Sequence, residues 1–293
     1  MLTLEPRLRE VGGGQVRRLL PAARQRSVGP FVFFDHFGPE ELAAFEDRDV
    51  RPHPHIGLST VTYLWEGRIV HRDSLGSVQA IEPGAINWMT AGRGIAHSER
   101  TPPELAGQRR RTHGLQLWTA LPREMEEREP SFAHTPAASI PLEKHGDVEV
   151  RTLIGRAWGV ESPVVPSSET LYLDIALPAG GRIDIPALAA ERAVYGLDPP
   201  FELDGTRLGA FTMAILETGK TATLSSDAPA RVVLIGGAPL DGPRFMWWNY
   251  VSSRRDLIIE AARQWQREHT PRIPGEAEWI DLPGAPPADL IRK

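Results

Sequence analysis

The sequence contains no cysteine, so no disulfide can staple the fold and no thiolate can hold a metal. No apolar run approaches the ~18 residues that a membrane helix needs. The opening stretch, Met1-Leu2-Thr3-Leu4-Glu5-Pro6-Arg7, lacks the apolar segment of a signal peptide. Charge is also unremarkable: the formal net value is -5, with neither an acidic nor a basic tail. A nucleic-acid binder would be expected to carry a basic stripe, and none is evident. The densest basic cluster, Arg109-Arg110-Arg111, reads as a solvated loop or strand entry rather than a phosphate site. Together these absences predict a soluble, cytoplasmic protein that binds neither nucleic acid nor membrane directly.

What is present is punctuation. Glycine and proline, 27 each, recur between short apolar runs, the pattern of many short strands and tight turns. The 293 residues suffice for one large or two ordinary domains, each with its own core.

The most informative stretches are His53-Pro54-His55 and, 42 residues after His55, His97-Ser98-Glu99. Each places polar side chains at i and i+2. Strand side chains alternate, so such a pair shares one face, roughly 7 Å apart. Two neighbouring strands could therefore present three imidazole nitrogens and one carboxylate to a single point. Nitrogen–oxygen ligation without sulfur, with positions left open, suits non-haem Fe(II). The competing reading is polar surface at strand ends. It holds well enough for one H-x-H and poorly for two such pairs separated by hairpins.

The flanking segments read as strands. Leu58–Trp65 is rich in β-branched and aromatic residues and is turned back at Glu66-Gly67. Arg68–Asp73, Val78–Ile81, Ile86–Thr90 and His113–Trp118 follow, with Glu82-Pro83-Gly84-Ala85 specifying a type II turn. Strands at this spacing argue for an antiparallel sandwich or barrel rather than a βαβ fold. About four strands fit between His55 and His97. The aromatic run Phe31–Phe37 looks like core or pocket wall, with His36 as a hydrogen-bonded core histidine.

The charged, proline-broken stretch from Pro122 to about Asp147 reads as an interdomain linker, with His134 and His145 exposed in it. Strands resume at Leu171–Leu177, Arg182–Ile185, Ala193–Leu197, Phe211–Leu216, Thr221–Leu224 and Arg231–Ile235. Ile185-Pro186-Ala187 lies eight residues before Ala193, as His53-Pro54-His55 lies eight before Val61. In that register Ile185 and Ala187 replace the two histidines, so the second domain reads as a duplicated barrel without a metal. The chain closes in a helix at about 253–269, with Ser253-x-x-Asp256 as a capping box and Leu257, Ile258, Ala261, Ala262 and Trp265 as its apolar stripe. The aromatic run Phe245–Tyr250 before it is expected to dock on a domain face.

Several of these segments together resemble the pirin family, bicupins of the cupin superfamily. They are Gly29–Phe37, His53-Pro54-His55-x-Gly57, Thr60–Leu64, Trp88-Met89-Thr90-Ala91-Gly92-Arg93-Gly94-Ile95-x-His97 with Glu99, and His113–Trp118. The resemblance covers most of residues 11–120 and is thinner beyond, chiefly Leu171–Asp174 and Gly236–Leu240. It implies an all-β fold of two tandem antiparallel β-sandwich or barrel (cupin, jelly-roll) domains with a C-terminal helix. Residues 1–135 would form the metal-binding domain and 136–293 the metal-free one. It also implies one metal per chain, usually Fe(II), on His53, His55, His97 and Glu99, with Mn, Co, Ni and Cu as alternatives.

Some members are similar to quercetin 2,3-dioxygenases, which open the central ring of flavonols with O2. For this chain that implies a small aromatic polyphenol as substrate. Glu99 would be the catalytic base, and Phe33, Trp88, Met89 and Trp118 a stacking wall. Other members look like iron-dependent regulators that bind a transcription factor or a metabolic enzyme. On that alternative the metal site controls a protein partner.

Overall fold

The computed structural model describes residues 1–286, so 287–293 at the end of the expected second domain lie outside the described residues. Among the described residues it is all-β with one α-helix, as the alternation and turn spacing predict. Two compact units emerge, and their boundaries are not one cut in the chain. One comprises Met1–Leu8, Arg17–Asp35 and Thr135–Pro239; the other comprises Arg9–Val16, His36–His134 and the described residues from Leu240 on.

In the first of these units, a seven-stranded antiparallel sheet runs Leu2–Leu4, Met213–Ile215, Glu191–Gly196, Ala230–Gly237, Thr170–Leu177, Val148–Ile154, Leu142–His145. A four-stranded sheet (Gly181–Ile185, Ala222–Ser226, Phe201–Leu203, Thr206–Leu208) contributes to the same core. The inward positions are apolar throughout: Leu173, Ile175, Val194, Val232 and Leu234 from one sheet meet Ile185, Phe201 and Leu224 from the other. Ile185 is fully buried there, whereas Ala187, the second position aligned with a histidine, is exposed. The N-terminal strand Leu2–Leu4 pairs with Met213–Ile215, so sequence distance is no guide to membership.

The other unit carries the histidines. Its smaller sheet is ordered Val50–His55, Ile95–Arg100, Ile69–Asp73, Val78–Ile81. Its larger sheet contains Ser131–Thr135, Ile86–Thr90, Leu58–Glu66 and Arg110–Ala120 in that order. Four strands therefore separate His55 from His97 along the chain, as expected. Val50–His55 is an edge strand, which explains why it tolerates Pro52 and Pro54: an edge needs hydrogen bonds on one side only.

Three expectations are corrected. The stretch from Pro122 to Asp147 is not an irregular linker. Its prolines punctuate real elements, with Ser131–Thr135 and Leu142–His145 as strands between Pro130, Pro136 and Pro141. Within it His134 is half-buried, its Nδ1 donating to Asn87 Oδ1 at 2.7 Å, rather than exposed. The helix spans Arg255–Glu268, but no capping box forms. The N-cap position falls on Arg254, one residue after Ser253, and the Ser253 hydroxyl instead donates to the buried Glu126 carboxylate at 2.9 Å.

The third correction concerns where the helix belongs. It groups with the histidine-bearing unit rather than with residues 136–239. Its Ile258 and Ala262 pack with Tyr250 and Ile56, and Trp265 with Ala96, because the apolar stripe meets the backs of the ligand-bearing strands. No helix among the described residues is long and apolar enough to cross a membrane.

Candidate metal centre

Val50–His55 and Ile95–Arg100 are hydrogen-bonded antiparallel neighbours, with His53 directly opposite His97 and His55 opposite Ile95. Alternation then turns His53, His55 and His97 to one face. Their ligand nitrogens all lie within 4.8 Å of one another, and all three side chains are buried. The His55 and His97 Nε2 atoms are 3.1 Å apart. Nitrogens about 2.1 Å from one metal and at right angles lie about 3.0 Å apart, so this spacing fits two positions of one coordination sphere.

The outer nitrogens orient two of the rings. His53 Nδ1–H donates to the Arg51 carbonyl at 2.8 Å, and His55 Nδ1–H donates to the Asn249 carbonyl at 2.9 Å. A carbonyl can only accept, so each proton is committed outward and each Nε2 keeps its lone pair facing the others. Burial lowers the His53 imidazole to about 4, with the neighbouring His71 adding to the shift. Burial holds His55 and His97 well below the ordinary value too, and the adjacent imidazoles reinforce it. At neutral pH the cluster is three uncharged donors converging on one point. Such a set can hold a divalent metal.

Glu99 sits on the His97 strand, beyond a β-bulge that shifts its partner to Val50. Its carboxylate is outside the cluster of mutually close donors formed by the three histidines. Burial pushes that carboxyl up to about 7.

The expected stacking wall is only half assembled. In the large sheet Trp118, Thr60 and Met89 form one cross-strand row and so share a face. Trp118 meets His55 edge-on, with ring centroids 5.1 Å apart. Trp88 neighbours Met89 in the same strand and therefore points to the opposite face, where its indole N–H donates to Thr90 Oγ1 at 3.1 Å. Phe33 falls in the other unit, its ring under the Arg18 guanidinium at 4.4 Å. Strand alternation alone could have separated Trp88 from Met89.

Sequence reading passed over His71 and Asp73, although His71-x-Asp73 has the same i, i+2 spacing as the two motifs it selected. His71 lies opposite Glu99 and Asp73 opposite His97 on the adjoining strand. His71 stacks on Phe132 at 4.2 Å. It also passed over polar residues on the Trp118 face: Thr62 donates to Gln116 Oε1 at 2.9 Å, and Asn87 receives His134. His36 behaves as expected, buried and 2.8 Å from His113 between ring nitrogens.

Comparison with known proteins agrees with this geometry. The Pirin family model matches residues 13–119, and the Pirin C-terminal cupin domain model matches residues 172–271. A pirin-like protein of Caulobacter vibrioides is 43% identical over 290 residues, covering 96% of this chain and 99% of that protein. Rattus norvegicus pirin is 33% identical over 257 residues, covering 85% of each. Among solved structures, a quercetin 2,3-dioxygenase from Acinetobacter baumannii superposes with a TM-score of 0.90 at 34% identity, covering 97% of this chain and 95% of that one. Two tandem family domains, the bicupin fold and the buried histidine triad lead to one conclusion: this chain belongs to the pirin family.

Proposed function

We propose that the chain is a metal-dependent dioxygenase of the quercetin 2,3-dioxygenase type, opening the central ring of a flavonol with O2. The observation that carries this reading is the convergence of three buried, uncharged imidazoles, two of them with their outer nitrogens held by backbone carbonyls. The likeness to the Acinetobacter baumannii quercetin 2,3-dioxygenase supports the substrate class.

His53, His55 and His97 would hold the metal, which we take to be Fe(II); Glu99, whose carboxylate lies outside that set, would have to move toward it to serve as fourth ligand. When bound there, the metal would supply Lewis acidity toward a substrate hydroxyl and redox chemistry toward O2. Glu99, when released from the metal, would be the group that receives the flavonol hydroxyl proton. Trp118 and Met89 provide the flat apolar wall against which a polyphenol lies, and the polar row at Thr62, Gln116 and Asn87 on the same face orients its hydroxyls.

The test is anaerobic reconstitution with Fe(II), followed by oxygen uptake and loss of quercetin absorbance. Turnover with carbon monoxide release is expected from wild type and not from His97→Ala or His55→Ala. Turnover that survives metal stripping sinks the proposal.

One contact favours a second reading, a regulator whose metal controls a protein partner. Ser98, between His97 and Glu99, donates to Glu276 at 2.9 Å, and Arg100 binds the same carboxylate at 2.6 Å. The ligand strand is thereby tied to a segment at the surface of its unit. Stoichiometric iron binding without turnover would favour this reading, with metal-loaded and metal-free protein then compared in pull-downs.

A further inference from the structure

His97 differs from the other two histidines in having no carbonyl behind it. Its Nδ1 faces the Nδ1 of His71 at 3.4 Å, and the Nε2 of His71 faces Asp73 Oδ2 at 3.0 Å. The other carboxylate oxygen, Oδ1, accepts the backbone N–H groups of Leu75 at 2.9 Å and Ser77 at 3.0 Å. His71, Asp73 and His97 are all buried, so no water shell competes for these bonds. From this arrangement we infer that His71 and Asp73 are positioning residues that fix which nitrogen of His97 carries its proton, and so keep its Nε2 bare for the metal. The inference rests on the metal-centre reading above and goes beyond it by assigning two residues outside the ligand set.

The logic follows from donor and acceptor counts. A carboxylate only accepts, so the His71 nitrogen facing Asp73 bears the proton. A neutral His71 ring then presents a bare Nδ1 to His97. That contact is a hydrogen bond only if His97 Nδ1 is the donor. The His97 Nε2 is left without a proton, pointing at His53 and His55. Asp73 is thus the origin of a polarity that passes through two imidazoles, and the stack of Phe132 on His71 keeps the middle ring in plane. Partners of this kind orient a ligand ring and raise its basicity, and their loss typically costs about 10–100-fold in metal affinity.

Asp73→Asn reverses the polarity with little change in shape. The amide oxygen can keep the Leu75 and Ser77 bonds, while the amide nitrogen donates to His71 where Oδ2 accepted. His71 must then carry its proton on Nδ1, His97 Nδ1 becomes the acceptor, and the His97 proton moves to Nε2.

Two readouts on the full chain decide the matter: long-range 1H–15N correlation spectra of imidazole tautomers in metal-free protein, and Ni(II) titration by calorimetry. Wild type should show His97 as the Nδ1–H tautomer. Asp73→Asn should show it as Nε2–H and bind Ni(II) about 10–100-fold more weakly. His71→Leu should weaken binding similarly, whereas His71→Gln, whose amide oxygen can accept from His97, should stay within about threefold of wild type. Should Asp73→Asn fail to fold, the Leu and Gln variants decide on their own. Equal affinities for those two, or a wild-type His97 protonated on Nε2, overturn the inference. A tautomer switch in a protein that takes up no Ni(II) would instead uphold the relay and reject the metal-centre reading.

Discussion

The imidazole of His55 is oriented by the backbone carbonyl of Asn249, 194 residues away in sequence and 2.9 Å away in space. Asn249 lies in the turn between the paired strands Phe245–Trp247 and Tyr250–Ser252. That hairpin is pinned by Glu126, whose carboxylate accepts from Ser252 Oγ at 2.9 Å and from Ser253 N at 2.7 Å and pairs with Arg244 at 2.8 Å. Both charged side chains are almost fully buried. Removing Glu126 leaves the buried Arg244 paired with the part-exposed Asp241 and takes the acceptor from Ser252 and Ser253, so Glu126→Ala is expected to cost about 3 kcal/mol. Urea unfolding measures that, and metal titration of the folded fraction should show weaker binding as the Asn249 carbonyl drifts. Unchanged stability would mean the pair is not holding the hairpin.

The buried histidines make metal-free protein acid-sensitive. Unfolded His53 takes up a proton near its ordinary value of 6.5, whereas the folded side chain resists until about 4. Between those values the unfolded chain binds more protons, so stability falls as pH drops from 6.5 toward 4, by roughly 3 kcal/mol from His53 alone. His55 and His97 act in the same direction. Glu99, lifted from 4.5 to about 7, acts oppositely, since its folded form holds a proton that the unfolded form has lost. Three groups outweigh one, and denaturation midpoints should be lower at pH 5 than at pH 6.5. The slope should flatten in His53→Gln.

Trp118 and Trp88 are almost equally buried, so both alanine variants should lose stability, and KM tells them apart. Trp118→Ala, on the His55 face, is expected to raise KM for quercetin about tenfold by removing a stacking surface worth about 1.4 kcal/mol, with the metal still bound. Trp88→Ala, on the opposite face, should leave KM unchanged and lower stability by about 3–5 kcal/mol. Steady-state kinetics beside thermal melts would expose the reverse pattern if the faces were misassigned.

Gly57, two residues after His55, has φ +67°, and a Cβ there would run into the Val251 carbonyl oxygen. Its own N–H and carbonyl bond Gly92 at 2.8 Å and Leu121 at 3.0 Å, so the backbone cannot swing aside. Gly57→Ala combines left-handed strain with overlap and should destabilise the unit by about 3 kcal/mol or more. A wild-type melting temperature in that variant would contradict the geometry.

Much of this was legible along the chain. Alternation at His53 and His55 and at His97 placed three donors on shared faces, and Gly-Pro punctuation marked the strands. It also marked a second barrel, whose aligned positions are Ile185 and Ala187. The same alternation, applied to Trp88 and Met89 and to His71-x-Asp73, would have divided the wall correctly and raised two further polar candidates. Capping was misread because the helix begins one residue later, with Arg254 as its N-cap, and Ser253 turns to Glu126, a carboxylate 127 residues away that no local pattern reveals.

The sequence by itself determined which side chains share a face, where strands turn, and which residue types could hold a metal, because these depend on neighbours within a few residues. Tertiary structure alone decided that the last strands and helix belong with the histidines and that Asn249 orients one of them. It also decided that His71 and Asp73 stand behind another. Those relations depend on cross-strand register and on which distant backbone fills an unpaired edge. They arise only when the whole chain has found partners for its buried polar groups.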